Sequence, residues 1–251
     1  MIPILWSGPG LLAVDKPPGM AVVPGREASR LSLRAALEAQ LGRPVWIVHR
    51  LDRDTTGVLL VALDAASHRA ASQAFELGQV EKRYLALVSP PLAAAIRVEV
   101  PLVPARRSRM RVARPGEAGK AAVTELRPLE THPPVQLVEA VPLTGRTHQI
   151  RVHLRHSGSP LLVDPQYGRP EPVTAEVLGR SGGAVLLART PLHASRLVLP
   201  AGEGLPAVDV TAPLPADMAA VLAAVTAPGT GSTAPSWTPD PSPPAGGSRR
   251  R

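Results

Sequence analysis

The chain has 251 residues, 44% of them hydrophobic, which provides for one large domain or two small ones and excludes a wholly disordered protein. It has no cysteine, which excludes disulfides, thiolate nucleophiles and Cys-type zinc sites and fits a reducing cytoplasm; no uncharged apolar run reaches membrane-spanning length, and Met1–Trp6 is too short, and lacks the basic start, for a secretory signal. The formal charge is +8, carried almost wholly by arginine because lysine stands only at 16, 82 and 120; this suits a phosphate-bearing partner such as RNA, and GC-rich codon usage explains it equally well.

In chain order, residues 11–25 read as strand, turn, strand. Ser32 to Leu41 reads as a short helix with Ser32 as its N-cap and Gly42 just past its end. Val45–Val48 and Val58–Leu63 have strand length and strand composition. Asp64 caps a second helix through Leu77, which Gly78 stops, and Val80–Val88 is a strand carrying Lys82, Arg83 and Tyr84. A strand pair covers 95–127, with Arg107, Arg109 and Arg111 on one strand face, a pattern that suits a phosphate track or a charge-protected edge. Gln136–Pro142 is a further strand, and Thr147 caps a helix running to about His156. Val185–Ala188 and Arg196–Leu199 are late strands, and Ala216–Val225 is the last helix. From residue 226 Pro, Gly, Ser and Thr dominate as far as Arg249-Arg250-Arg251, so the expected organisation is a folded body over 1–225 and a disordered tail over 226–251. Many strands, few helices and no strict alternation argue an α+β fold on a mixed, mostly antiparallel sheet with flanking helices.

The most informative stretch is His49-Arg50-Leu51-Asp52-Arg53-Asp54-Thr55-Thr56-Gly57, a compact polar loop between two strands. Such a loop holds one carboxylate between basic neighbours at a sheet edge, which suits a catalytic Asp acting on an anionic substrate. Taken alone, Asp52 is equally a turn-capping Asp. Asp54 raises a metal-dependent nuclease reading, and His148, His153 and His156 raise a zinc reading. The histidine spacings of five and three do not stack on one helical face, so no metal is expected. In Thr144–Leu154, a cap at Thr147 sets His148, Arg151 and Arg155 on neighbouring helix faces.

His-Arg-Leu-Asp-x-x-Thr-Thr-Gly resembles the signature of the RluA-type pseudouridine synthases, which isomerise uridine in RNA. Lys82-Arg83-Tyr84-Leu85-Ala86 and Thr144-Gly145-Arg146-Thr147-His148-Gln149-Ile150-Arg151 resemble the family's next two segments. Asp15-Lys16-Pro17-Pro18-Gly19, the 109–124 stretch, Asp164-Pro165-Gln166-Tyr167-Gly168 and Leu192-His193-Ala194 are similar to lesser ones, in the same order along residues 11–217. The resemblance implies a pseudouridine-synthase-like sheet with a basic central cleft and a reaction that needs no cofactor. It also implies that Asp52 is the catalytic carboxylate, as nucleophile or as base. Arg151 pairs with it, Tyr84 stacks on the target uracil, and Arg50 fills the space of the flipped base or contacts phosphate. His49 contacts RNA or buttresses the loop; Arg146 holds phosphate or the loop; His148, with Arg107, Arg109 and Arg111, joins the RNA-binding set. At the late Asp164 segment Val163 stands where relatives carry Gly, a departure read as altering the local turn and leaving catalysis untouched. The N-terminal S4-type module of many relatives is expected to be absent, and a monomer without an obligatory protein partner is expected to act on rRNA or tRNA. The competing reading is a non-catalytic RNA-binding or ribosome-assembly factor on the same scaffold.

Overall fold

The computed structural model describes residues 1–24, 32–106, 108–202 and 204–227. In chain order the elements are β1 (Ile4–Gly8), β2 (Leu11–Lys16), α1 (Leu33–Leu41), β3 (Trp46–Ile47), β4 (Thr56–Ala62), α2 (Ala65–Glu76) and β5 (Glu81–Val88). β6 (Ile96–Glu99), β7 (Leu102–Pro104), β8 (Met110–Val112), β9 (Val123–His132), β10 (Val135–Pro142) and α3 (Gln149–His156) follow. The chain then forms β11 (Val173–Thr174), a single 3₁₀ turn, β12 (Val185–Leu187), β13 (Leu192–Leu199), β14 (Val208–Thr211) and α4 (Ala216–Thr226). The expected tail falls almost wholly outside the described residues.

The main sheet runs β1-β2-β4-β13-β5-β10-β9-β6, with β3 on β4 and β14 on β13. Every pairing in it is antiparallel except β4 with β13. The fold is therefore α+β with a mixed, mostly antiparallel sheet. Side-chain alternation sends Leu12, Val14, Leu59, Val61, Ala86 and Val138 to one face, where Leu33 and Leu37 of α1 and Ile150 and Leu154 of α3 cover them. Leu11, Ala13, Val58 and Leu60 face the other way, onto Ala71 and Ala74 of α2. Farther along that side, Leu87 and Leu137 meet Met218 and Val221 of α4. β4 is buried along its whole length, which accounts for its unbroken apolar run.

The two early caps form as expected: Ser32 accepts from the Ala35 N–H, and Asp64 from the Ser67 N–H. Three expectations need correction. Only Leu11–Lys16 of the 11–25 segment is a strand, and its partner lies upstream as β1, across a turn in which Gly10 takes a φ of 67°. Among its described residues the 95–127 segment is four strand pieces: Pro101 separates β6 from β7, and β7 and β8 pair as a separate two-stranded hairpin that ends at Pro104. Thr147 does not cap α3. His148 occupies the N-cap in a left-handed conformation (φ 54°) and makes no side-chain cap bond.

Candidate active site

Asp52 lies just before β4, at the end where β4 runs parallel to β13. Its carbonyl accepts from the Thr55 N–H at 3.2 Å, closing a turn that feeds β4. Lys16, fully buried at the end of β2, reaches beneath this turn and donates to the carbonyls of Pro17, Arg53 and Thr55 at 2.9, 2.8 and 2.8 Å. Burial lowers the Lys16 ammonium to about 8, against the pull of Asp54. From the other side Arg189 donates to the Asp54 carbonyl at 3.1 Å while holding Asp217 of α4 through two bonds of 2.6 and 2.8 Å. Successive carbonyls at 53, 54 and 55 thus each meet a cation, and the loop has little freedom to move. Gly57 is obligatory there: its φ is 104°, and an added Cβ would lie 2.2 Å from the Ala194 carbonyl oxygen of β13. Thr56 next to it shares a 2.9 Å bond with the buried Nδ1 of His193, whose Nε2 faces the Ala212 carbonyl at 3.3 Å. His193 therefore carries its proton on Nε2 and accepts the Thr56 hydroxyl proton at Nδ1. Burial pushes this imidazole down to about 4.

The partner of Asp52 comes from α3. Arg151 is 7% exposed and donates through Nη1 to Asp52 Oδ2 at 2.9 Å. Its other two nitrogens grip Asp164 bidentately, Nε to Oδ2 at 2.8 Å and Nη2 to Oδ1 at 2.7 Å, and Nη2 also reaches Gln166 at 3.0 Å. The guanidinium lies 4.9 Å from the Tyr167 ring centroid. Burial opposes its charge, but the bonds to Asp164 and then to Asp52 outweigh that and hold it above the ordinary arginine value. Asp52 Oδ1 has no hydrogen-bond partner among the described residues. The Asp164 segment, matched only as a lesser motif, joins this cluster: Asp164 is buried and also accepts the Gln166 and Tyr167 N–H groups. Its signal in the sequence was an Asp-Pro-x-Tyr-Gly turn following α3, and no spacing rule links that turn to Arg151.

Tyr84 on β5 is 8% exposed, on the same face of the sheet as Leu51 and Ile150. Burial, and then the Asp52 charge, push its hydroxyl up from the usual tyrosine value, so it stays protonated. Arg50 is exposed and its guanidinium has no partner among the described residues. His49 turns inward instead: Nε2 accepts from the Leu60 N–H at 2.9 Å and the ring stacks on Phe75 at 4.4 Å. Of the two roles open to it, the geometry spends this imidazole on the fold, with burial and then Lys82 lowering it to about 3.

His148 lies between Asp52 and Tyr167. Its Nδ1 lies 2.7 Å from the Tyr167 hydroxyl and its Nε2 3.8 Å from Asp52 Oδ2. A left-handed residue other than Gly costs about 1 kcal/mol or more, and the surroundings must hold it there. Gln149 helps, accepting from the Arg146 N–H and Thr144 hydroxyl and donating to Val123 and Thr124 of β9.

The basic set divides. Arg109 is exposed, with its side chain unpaired among the described residues. Arg111 is clamped by Glu117 through two 2.7 Å bonds, which corrects its expected place on an open phosphate track. Arg107 lies outside the described residues. Arg146 gives Nε to the Ala121 carbonyl at 2.9 Å and keeps the rest of its fork exposed. Of the zinc candidates, His153 is fully buried and bonded to Thr124 at 2.8 Å.

Known proteins similar to this chain share one family. Residues 10–156 match the family described as RNA pseudouridylate synthase. The chain is 39% identical over 231 residues to ribosomal large subunit pseudouridine synthase D of Nitrosomonas europaea, covering 88% of this chain and 64% of that protein. It is 39% identical to ribosomal large subunit pseudouridine synthase C of Haemophilus ducreyi, covering 66% and 52% of the two. To tRNA pseudouridine synthase C of Salmonella typhi it is 35% identical, covering 79% and 80%. It thus spans only about half to two thirds of the first two relatives. Among solved structures, human RNA pseudouridylate synthase domain containing 4 superposes with a TM-score of 0.71 at 27% identity, over 89% of this chain and 92% of that one.

Proposed function

Since the chain belongs to the RNA pseudouridylate synthase family, we propose that it isomerises uridine to pseudouridine in structured rRNA or tRNA, with Asp52 as the reacting carboxylate. The observation that carries this reading is the pinning of Asp52 Oδ2 by Arg151, which leaves Oδ1 without a partner among the described residues and the Asp52 charge acting on the Tyr84 hydroxyl. The C1′–N1 bond breaks, the uracil turns, a C1′–C5 bond forms, and the proton leaving C5 is matched by one gained at N1. No electrons are exchanged with an outside partner, and no group leaves the RNA. Oδ1 serves in one of two ways, attacking the sugar or taking its 2′ proton; either uses the same fixed carboxylate.

A stacked uridine must first leave the helix. Arg50, exposed and two residues before Asp52, fills the vacated place, and the Tyr84 ring receives the uracil face, a contact worth about 1–3 kcal/mol per stacked base. Arg109 and the outer fork of Arg146 contact phosphates.

The test is incubation of the full chain, and of Asp52→Asn, with separate unmodified tRNA and rRNA pools, followed by pseudouridine mapping. Asp52-dependent modification in either pool supports the reading and names the substrate. Tight RNA binding with no modification in either pool would overturn it in favour of a binding factor.

A further inference from the structure

The reading above leaves one ionisable group of the cleft without a task. His148 stands at the N-cap of α3, a position that usually takes an extended backbone and a side chain that bonds back onto the helix. Here the backbone is left-handed and the cap bond is missing. Both departures serve one result: the imidazole lies inside the cleft with only 14% of its side chain exposed. Strain kept at a cleft, together with a fully specified side-chain position, points to a task for the residue.

The neighbours specify its protonation. The Tyr167 hydroxyl, itself buried, accepts the Met110 N–H at 2.7 Å and so has its proton free to give to His148 Nδ1, 2.7 Å away. The opposite assignment would aim the bare Nε2 lone pair at the Asp52 carboxylate. The neutral ring therefore carries its hydrogen on Nε2, directed at Asp52 Oδ2 from 3.8 Å. A shift of about 0.8 Å makes this a hydrogen bond, and catalytic bonds in free enzymes commonly tighten when substrate arrives.

We propose that His148 is a positioning residue for Asp52: oriented by the Tyr167 hydroxyl, its Nε2–H is a second donor to Oδ2 beside Arg151, so that Oδ2 is held twice and Oδ1 alone faces the substrate. This rests on the pseudouridine synthase reading. It also ties the site to the β7–β8 hairpin, since the Tyr167 hydroxyl that orients His148 is anchored by the first residue of β8.

Two independent measurements test it. The first needs no RNA: nitrogen chemical shifts of the His148 ring, followed through a pH titration in the full chain and in Asp52→Asn. The groups facing the ring are Asp52, Arg151, Asp164 and Tyr167. Burial lowers the imidazole, Asp52 pulls it up, Arg151 down, and Asp164 up. The expected result is a hydrogen on Nε2 in the neutral ring and a titration that moves to lower pH in Asp52→Asn. A hydrogen on Nδ1, or a titration indifferent to Asp52, overturns the proposal.

The second compares His148→Gln, whose amide nitrogen reaches the place of Nε2, with His148→Asn, which tolerates the left-handed backbone but falls short. Single-turnover rate should fall about 10²-fold in His148→Asn, with the dissociation constant for RNA within about threefold, and recover most of that loss in His148→Gln. Weakened RNA binding with the single-turnover rate unchanged makes His148 an RNA contact and sinks the proposal. If the wild-type chain forms no pseudouridine at all, the functional reading has failed, and the ring titration alone decides whether His148 addresses Asp52.

Discussion

The Asp52 loop and the β7–β8 hairpin are both rich in charge, but the structure uses that charge in opposite ways. Around Asp52 the ions are buried and over-determined: Lys16 makes three bonds to carbonyls, and Arg151 is divided between Asp164 and Asp52. Around the hairpin they stand in solvent, Arg111 on Glu117 with both side chains about a third or more exposed and Arg109 unpaired among the described residues. Buried ions whose partners are removed cost several kcal/mol, whereas exposed pairs contribute roughly 0–1 kcal/mol. The first region should hold atoms in fixed places; the second should supply charge to whatever phosphate approaches.

The sharpest way to break this contrast is at Asp52. Asp52→Asn should lower turnover by at least about 10³-fold with RNA affinity nearly unchanged. Retention of about a tenth of the rate would show that another group does the chemistry. Next in size, Gly57→Ala should destabilise by about 3 kcal/mol or more, seen as a lowered denaturation midpoint, because the methyl and the Ala194 carbonyl would claim the same space.

Acid tests the loop's histidines. In the folded chain His49 is lowered to about 3 and His193 to about 4, while the unfolded chain takes up those protons near 6.5. Their contribution to stability is whole above that value and is lost as pH falls from 6.5 towards 4 and below. His49→Gln, which still offers an acceptor to the Leu60 N–H, should flatten the decline in melting temperature over that window. An unchanged slope would mean that His49 is not held neutral.

The hairpin should respond to salt and leave the chemistry alone. Arg109→Ala should weaken RNA binding severalfold at low ionic strength and reduce the salt slope by roughly one, with the single-turnover rate untouched. Smallest of all, Glu117→Gln should leave the melting temperature where it was. If it raises RNA affinity, the freed Arg111 has joined the phosphate contacts.

What could be read from the chain divides along similar lines. The caps at Ser32 and Asp64 and the strands flanking Asp52 are legible because each depends on neighbours within a few residues, whereas the demand for Gly57 comes from Ala194 on distant β13. The closeness of Arg151 to Asp52 followed only from a motif resemblance, since 99 residues separate them. The places of Asp164 and Lys16 are not legible, because burial of a charged side chain has no local sequence signature. The Thr147 cap expected from the sequence sets His148 on a helix face, whereas His148 is itself the N-cap. The left-handed turn that rotates the ring inward is a product of Gln149 tethering α3 to β9.

The position of β13 bears on how the protein is made. β4 and β5 follow one another closely in the chain, but they meet only through a strand that the ribosome delivers more than a hundred residues later. Until residues 192–199 emerge, the sheet stays in two halves and Gly57 has no neighbour to press against. Until Asp217 follows, Arg189 lacks the carboxylate that sets it under Asp54. The growing chain therefore carries Asp52 for most of its synthesis without the strand and the carboxylate that fix its loop.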